Sequence, residues 1–175
     1  VAVLGAIGFL VAGLVQWEDV NSGVNWGVVL LYGAAISLGV QMKNTGAAVW
    51  VAQNFLFFLE PLGMEEGIGL WGAVSLLTTA VTNTMSNGAA VAVLGPIVLK
   101  LATVAGESPI ILGFITAVSS AFAYLTVVGT PACTIVYASG YLKTTDFLKV
   151  GWKMCIMSII VMLAAAYLYW PIIGA

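Results

Sequence analysis

Five basic and seven acidic side chains are all the fixed charge in a chain of 175 residues. That 7% sits far below the roughly 25% of soluble domains. So few charges cannot cover a water-facing surface, which sets aside a soluble globular enzyme. A nucleic-acid partner is set aside too, because it needs a basic face. With 62% hydrophobic residues, disorder is equally unsuitable. The apolar residues come in long unbroken runs rather than the ~10-residue alternating segments of a membrane barrel. The expected class is therefore all-α: a polytopic integral membrane protein whose solvent is the lipid bilayer. The absence of His removes a histidine metal site or general base. Cys133 and Cys155 both lie in apolar stretches without metal-binding spacing and read as packing residues.

A helix needs ~20 apolar residues to cross the hydrocarbon core. Val1 to Val15 is one apolar segment. It starts without an initiator Met or a basic leader region, so the chain reads as part of a longer protein. Gln16 to Asn25 is polar and holds Glu18 and Asp19, and Trp26 to Met42 is a second span, stopped by Lys43-Asn44-Thr45-Gly46. Ala47 to Leu59 is short and carries Gln53 and Asn54 in its middle, which favours a helix lying flat in the interface. After an acidic loop from Glu60 to Gly67 come two short apolar arms, Ile68–Val81 and Ala89–Val104, around the uncharged polar tip Thr82–Gly88. Ile110 to Leu142 is too long for one simple helix, and Gly129-Thr130-Pro131 should interrupt it. Lys143 to Lys149 is a polar turn, and Gly151 to Tyr169 is the last span, ending at Trp170. Trp17, Trp26, Trp71, Trp152 and Trp170 fall near segment ends, as interfacial anchors do. The lysines at 143, 149 and 153 put the loop before the last span on the cytoplasmic side.

Two places are equipped for chemistry. Arms as short as those of 68–104 read as a re-entrant hairpin, whose irregular tip is tolerated only in a protected cavity. The tip supplies hydroxyls and amides but no charge. Hydroxyl and carbonyl oxygens suit a small hard cation, whereas helix N-termini and amide N–H groups suit an anion. The same residues also fit a simple loop between two tilted spans. The second place is Gly129-Thr130-Pro131. Broken helices near the midplane recur as ion and substrate sites of secondary transporters, although a proline kink without a ligand would look the same. No nucleophile with a base and no paired acids are present, so the chain is not read as an enzyme.

These residues resemble the divalent anion:sodium symporter family, which carries dicarboxylates, citrate or sulfate. The resemblance runs from Trp17-Glu18-Asp19-Val20 and the stretch Asn25 to Gly33, through Lys43-Asn44-Thr45-Gly46, to Ser86-Asn87-Gly88 at the place of the family's Ser-Asn-Thr signature. It continues from Val128-Gly129-Thr130-Pro131 through Ser139 to Lys143. The resemblance implies one inverted repeat of an elevator-type transporter. Residues 1–60 would be scaffold helices and an interfacial arm, and 61–175 a transport region with hairpin 68–104, broken helix 110–142 and last transmembrane helix 151–170. It further implies sodium held by Thr82, the Met85 carbonyl, Asn87 and the Gly129 carbonyl. The substrate would meet Ser86, Asn87, Gly88, Thr130 and Pro131, with sodium binding first. Gly88 stands where the family often has Thr, which removes a hydroxyl and leaves the anion unspecified. A missing N-terminal repeat, a homodimer, a cell-membrane location and no cofactor beyond the coupling ion are also implied. Two other readings compete: an anion exchanger or proton-coupled carrier on the same fold, and a membrane scaffold subunit that transports nothing.

Overall fold

A computed structural model describes residues 2–23, 26–127 and 130–170. The described residues form α-helices and one 3-10 turn, with no strand among them. The chain forms two compact units, 1–34 and 35–175.

In the first unit, α1 (Ala2–Val11) closes with paired backbone bonds from Leu14 to Phe9 and from Gly13 to Leu10. The polar stretch after it contains a second helix, α2 (Trp17–Gly23). Its local chemistry favours a helix start there. The Asp19 carboxylate accepts from the Gln16 N–H at 3.1 Å, and Glu18 and Asp19 place negative charge in the first turn. Helix α3 (Trp26–Thr45) begins in this unit and ends in the second, and it covers the expected second span.

Gly46 separates α3 from α4 (Ala47–Leu59) with φ of 74°, a left-handed conformation that glycine adopts without steric cost. A 3-10 turn, Glu60–Leu62, follows, and the chain bends by 119° into α5 (Gly67–Thr82). Helix α6 (Asn87–Ala105) completes the hairpin, with Pro96 inside it. Gly39 of α3 faces that proline so closely that a Cβ there would lie 2.9 Å from its Cγ. Next come α7 (Pro109–Ser119), α8 (Pro131–Ala138) and α9 (Thr144–Leu168). Helix α9 starts within the expected polar turn, because the Asp146 carboxylate accepts from the Lys143 N–H at 3.0 Å and caps it.

Helix α4 packs on α6, α6 on α7, and α5 on α6, α7 and α9. Leu70, Val74, Val98, Leu112 and Ile115 are fully enclosed between them. Yet Ser75, Thr78, Thr79, Thr82, Asn83, Thr116, Ser119 and Ser120 are buried beside them. Phe57, Phe58, Ile160, Val161 and Leu168 are exposed. Polar groups inside and large apolar groups outside is the arrangement that lipid requires and water would penalise. Among the described residues, Asn87–Ala105 and Thr144–Leu168 are long and apolar enough to cross a membrane. Trp71, expected as an interfacial anchor, is instead buried, and its indole N–H donates to Glu107 at 3.4 Å.

Candidate functional site

The polar interior is a stripe on α5. Ser75, Thr78, Thr79, Thr82 and Asn83 recur at helical spacing and share one side of the helix. Facing them on α7 are Thr116 and Ser119. The Ser75 and Ser119 hydroxyls meet at 2.7 Å, fully buried. Thr78 and Thr116 turn their hydroxyls back to the carbonyls of Val74 and Leu112. Thr79 Oγ1 is buried and makes no hydrogen bond in the structure.

The stripe leads to the hairpin tip, where α5 ends at Thr82 and α6 begins at Asn87. The Thr82 hydroxyl lies 2.6 Å from the Ser120 carbonyl oxygen and 3.0 Å from Asn87 Oδ1. Three oxygens from three segments are thus in hydrogen-bond contact, and none of the three is a carboxylate. Oxygen convergence without carboxylates suits a weakly charged hard cation better than a divalent one. Ser86 is the N-cap of α6, and its hydroxyl accepts from the Ala89 N–H at 3.4 Å. Met85 and Ser86 are exposed, and Gly88 is half-buried.

The broken helix over 110–142 departs from expectation in where it breaks. Helix α7 stops at Ser119, well before Gly129, residues 120–127 are non-helical, and α8 begins at Pro131. The reason is tertiary. Backbone groups of this stretch are taken by side chains from elsewhere: Ser120 O by Thr82, Phe122 O by Asn83 Nδ2 at 3.2 Å and by the Cys155 thiol at 3.3 Å, and the Leu125 N–H by Asn83 Oδ1 at 2.8 Å. Gly151 of α9 lets the same stretch come close, since a Cβ there would overlap the Tyr124 carbonyl. The helix resumes with Thr130 as N-cap, its hydroxyl accepting from the Cys133 N–H at 3.3 Å, and Pro131 in the first turn.

Of the expected site residues, Thr82 and Asn87 are brought into contact. Ser86 and Thr130 each cap a helix N-terminus, and Pro131 follows Thr130. Gly129 lies outside the described residues. Sequence reasoning missed Ser120 and Thr126 as parts of this constellation, and had Asn83 only as one of the polar tip residues. The regular spacing of the polar stripe on α5 and the Ser119-Ser120 pair in an apolar run were the available signals.

The family model of the sodium:sulfate symporter transmembrane region matches residues 1–175. An uncharacterized transporter of Haemophilus influenzae is 30% identical over 170 residues, which is 97% of this chain and 36% of that protein. The sodium-dependent high-affinity dicarboxylate transporter 3 of Caenorhabditis elegans is 31% identical over 168 residues, 91% of this chain and 28% of that protein. The Na(+)/citrate cotransporter of Rattus norvegicus is 29% identical over 146 residues, 83% of this chain and 25% of that protein. The chain thus spans between a quarter and just over a third of these relatives.

Proposed function

The chain belongs to the sodium:sulfate symporter family, and from that premise we propose that it is part of a sodium-coupled carrier of small divalent anions, such as dicarboxylates, citrate or sulfate. It is an all-α, multi-pass membrane protein, and transport rather than catalysis is the activity of its named relatives. The observation that carries the proposal is the meeting of Thr82 Oγ1, Asn87 Oδ1 and the Ser120 carbonyl at the junction of hairpin tip and broken helix.

In this reading sodium is held by Thr82, Asn87 and the carbonyls of Met85 and Gly129. The anion then meets Ser86, Asn87, Gly88, Thr130 and Pro131. Two helix N-termini, those of α6 and α8, begin at these residues and favour negative charge. The bound cation adds positive potential and orders the tip, so sodium binds before the anion. Residues 1–60 act as scaffold and interfacial arm, while 61–175 move with the substrate in an elevator step. A second repeat completes the binding site, and the carrier is a homodimer.

The test is thermal unfolding of the intact protein in detergent, in sodium chloride against choline chloride at equal ionic strength. A ligand bound only by the folded state at a hundredfold its Kd adds about 2.7 kcal/mol of stability. A saturable rise in midpoint with sodium, lost in Thr82→Ala and Asn87→Ala, is the expected result. An anion-dependent rise without any sodium effect would favour an exchanger or proton-coupled carrier. No response to sodium or to any anion would favour a scaffold subunit.

A further inference from the structure

We propose that Asn83 is a positioning residue that ties the hairpin tip to the break between α7 and α8 and thereby sets how tightly the tip holds sodium. The inference rests on the transport reading above and adds a residue to it that touches neither ion nor anion.

Asn83 closes α5 and is 6% exposed. Its Nδ2 donates to the Thr79 carbonyl at 2.7 Å and to the Phe122 carbonyl at 3.2 Å. Its Oδ1 accepts from the Leu125 N–H at 2.8 Å. Its own carbonyl accepts from the Thr126 hydroxyl at 3.0 Å. One residue therefore engages Phe122, Leu125 and Thr126, all in the stretch where the helix is interrupted. Only a carboxamide presents two donors and an acceptor on one uncharged planar group. Asp in its place would set a negative oxygen against two carbonyls and donate nothing.

The consequence is mechanical. The Thr82 hydroxyl reaches Ser120 while the next residue reaches 122, 125 and 126. These bonds fix both ends of the non-helical stretch against the end of α5. Thr130 follows Thr126 by four residues, so the position of α8's N-terminus relative to the tip is limited by this anchor. Cation ligands contributed by hairpin and break are then held close to their bound separation before the ion arrives, which leaves the ion less to order. Without Asn83 the two sets of ligands still exist, but binding must first bring them together.

The experiment measures initial uptake of radiolabelled succinate, citrate and sulfate into proteoliposomes of the intact protein across a sodium series. Wild type, Asn83→Ala, Thr126→Val and Thr103→Ala are compared. Thr103 bonds only the Lys100 carbonyl near the far end of α6 and serves as control. The half-saturating sodium concentration is expected to rise about tenfold in Asn83→Ala, the scale of one lost buried hydrogen bond. Thr126→Val should shift it in the same direction by less. The KM for anion at saturating sodium should stay within about twofold of wild type. Amide exchange of the peptide covering 120–127 should speed up in both variants. A lowered maximal rate with unchanged sodium half-saturation would overturn the proposal, because a merely structural residue gives that result. If wild-type uptake does not depend on sodium, the transport reading itself fails and takes this role with it. If wild type depends on sodium and neither variant shifts it, only the role of Asn83 fails.

Discussion

Replacing Gly151 with alanine tests how closely the break is seated against α9. A Cβ at 151 would fall 2.3 Å from the Tyr124 carbonyl oxygen, 2.7 Å from its carbon and 3.2 Å from the Leu125 Cα. Ordinary contact begins at 3.4 Å, so the two backbones must part by about an ångström. No flexible side-chain end is available to give way. Helix propensity alone would favour alanine by ~0.5–1 kcal/mol. Overpacking against rigid neighbours costs ~1–3 kcal/mol. Because all three contacts are backbone, the cost should lie in the upper part of that range and outweigh the gain, leaving a net loss of about 1–2 kcal/mol. For a cooperative structure of 150–250 residues that lowers the melting midpoint by ~2–4 °C per kcal/mol. The comparison is Gly113→Ala in α7, where the new methyl would meet only the Leu99 Cδ2 at 3.5 Å. That variant should melt at or above wild type. The assay is thermal unfolding of the intact protein in detergent. If Gly151→Ala melts as high as Gly113→Ala, the stretch around Tyr124 does not lie against α9 as described. The tertiary explanation for the early end of α7 would then lose one of its supports.

The buried hydroxyl pair Ser75–Ser119 should behave as a coupled unit. Each single change to alanine is expected to destabilise by ~0.5–1.5 kcal/mol, and the double change by less than the sum, measured as a double-mutant cycle in the same unfolding assay. Glu107 accepts from the Gly67 N–H at 2.7 Å and from the Trp71 indole, and so caps α5 from forty residues away. Glu107→Ala should cost ~1–2 kcal/mol. Glu107→Gln should cost only the ~0.3–1 kcal/mol of the lost charge at the helix start, and Trp71 fluorescence should shift to the red only in the alanine variant. Leu112→Ala, at a fully enclosed position, should lower stability by ~2–5 kcal/mol through the cavity it leaves.

The hairpin arms were legible because apolar runs are bounded by glycine and by the uncharged polar tip, and those signals are local. The stop at Gly46 was legible for the same reason. The short helix Trp17–Gly23 was not, since its polar composition carries no apolar periodicity and the bond from the Gln16 N–H to Asp19 shows only in the structure. The early end of α7 was hidden for a different reason. From Ile110 to Val127 nothing in the local sequence forbids a continuous helix. Proline and glycine at 129–131 attract attention, but the interruption begins at Ser120 because residues about forty positions earlier capture its backbone. Trp71 shows the same limit from the other side: its place near a segment end suggested an interfacial anchor, and a carboxylate distant in sequence draws it inward.

A rule for reading such a chain follows from which groups ended up inside. In water the apolar stripe of a helix marks its buried face. In lipid that stripe carries little information, because both faces are apolar. The informative stripe is the polar one, since hydroxyls and amides in hydrocarbon must find partners. On α5 the positions 75, 78, 79 and 82 mark the inner face, with 83 just beyond the helix, and all five are buried. On α7 the positions 116 and 119 do the same, with 120 just beyond the helix. Two polar stripes of compatible spacing on neighbouring apolar helices must face each other, and the Ser75–Ser119 contact meets that requirement. Read this way, the pairing of hairpin and broken helix was already written in the order of serines, threonines and one asparagine. What the order could not supply was the reach of Asn83 into a stretch whose departure from helix it helps to cause.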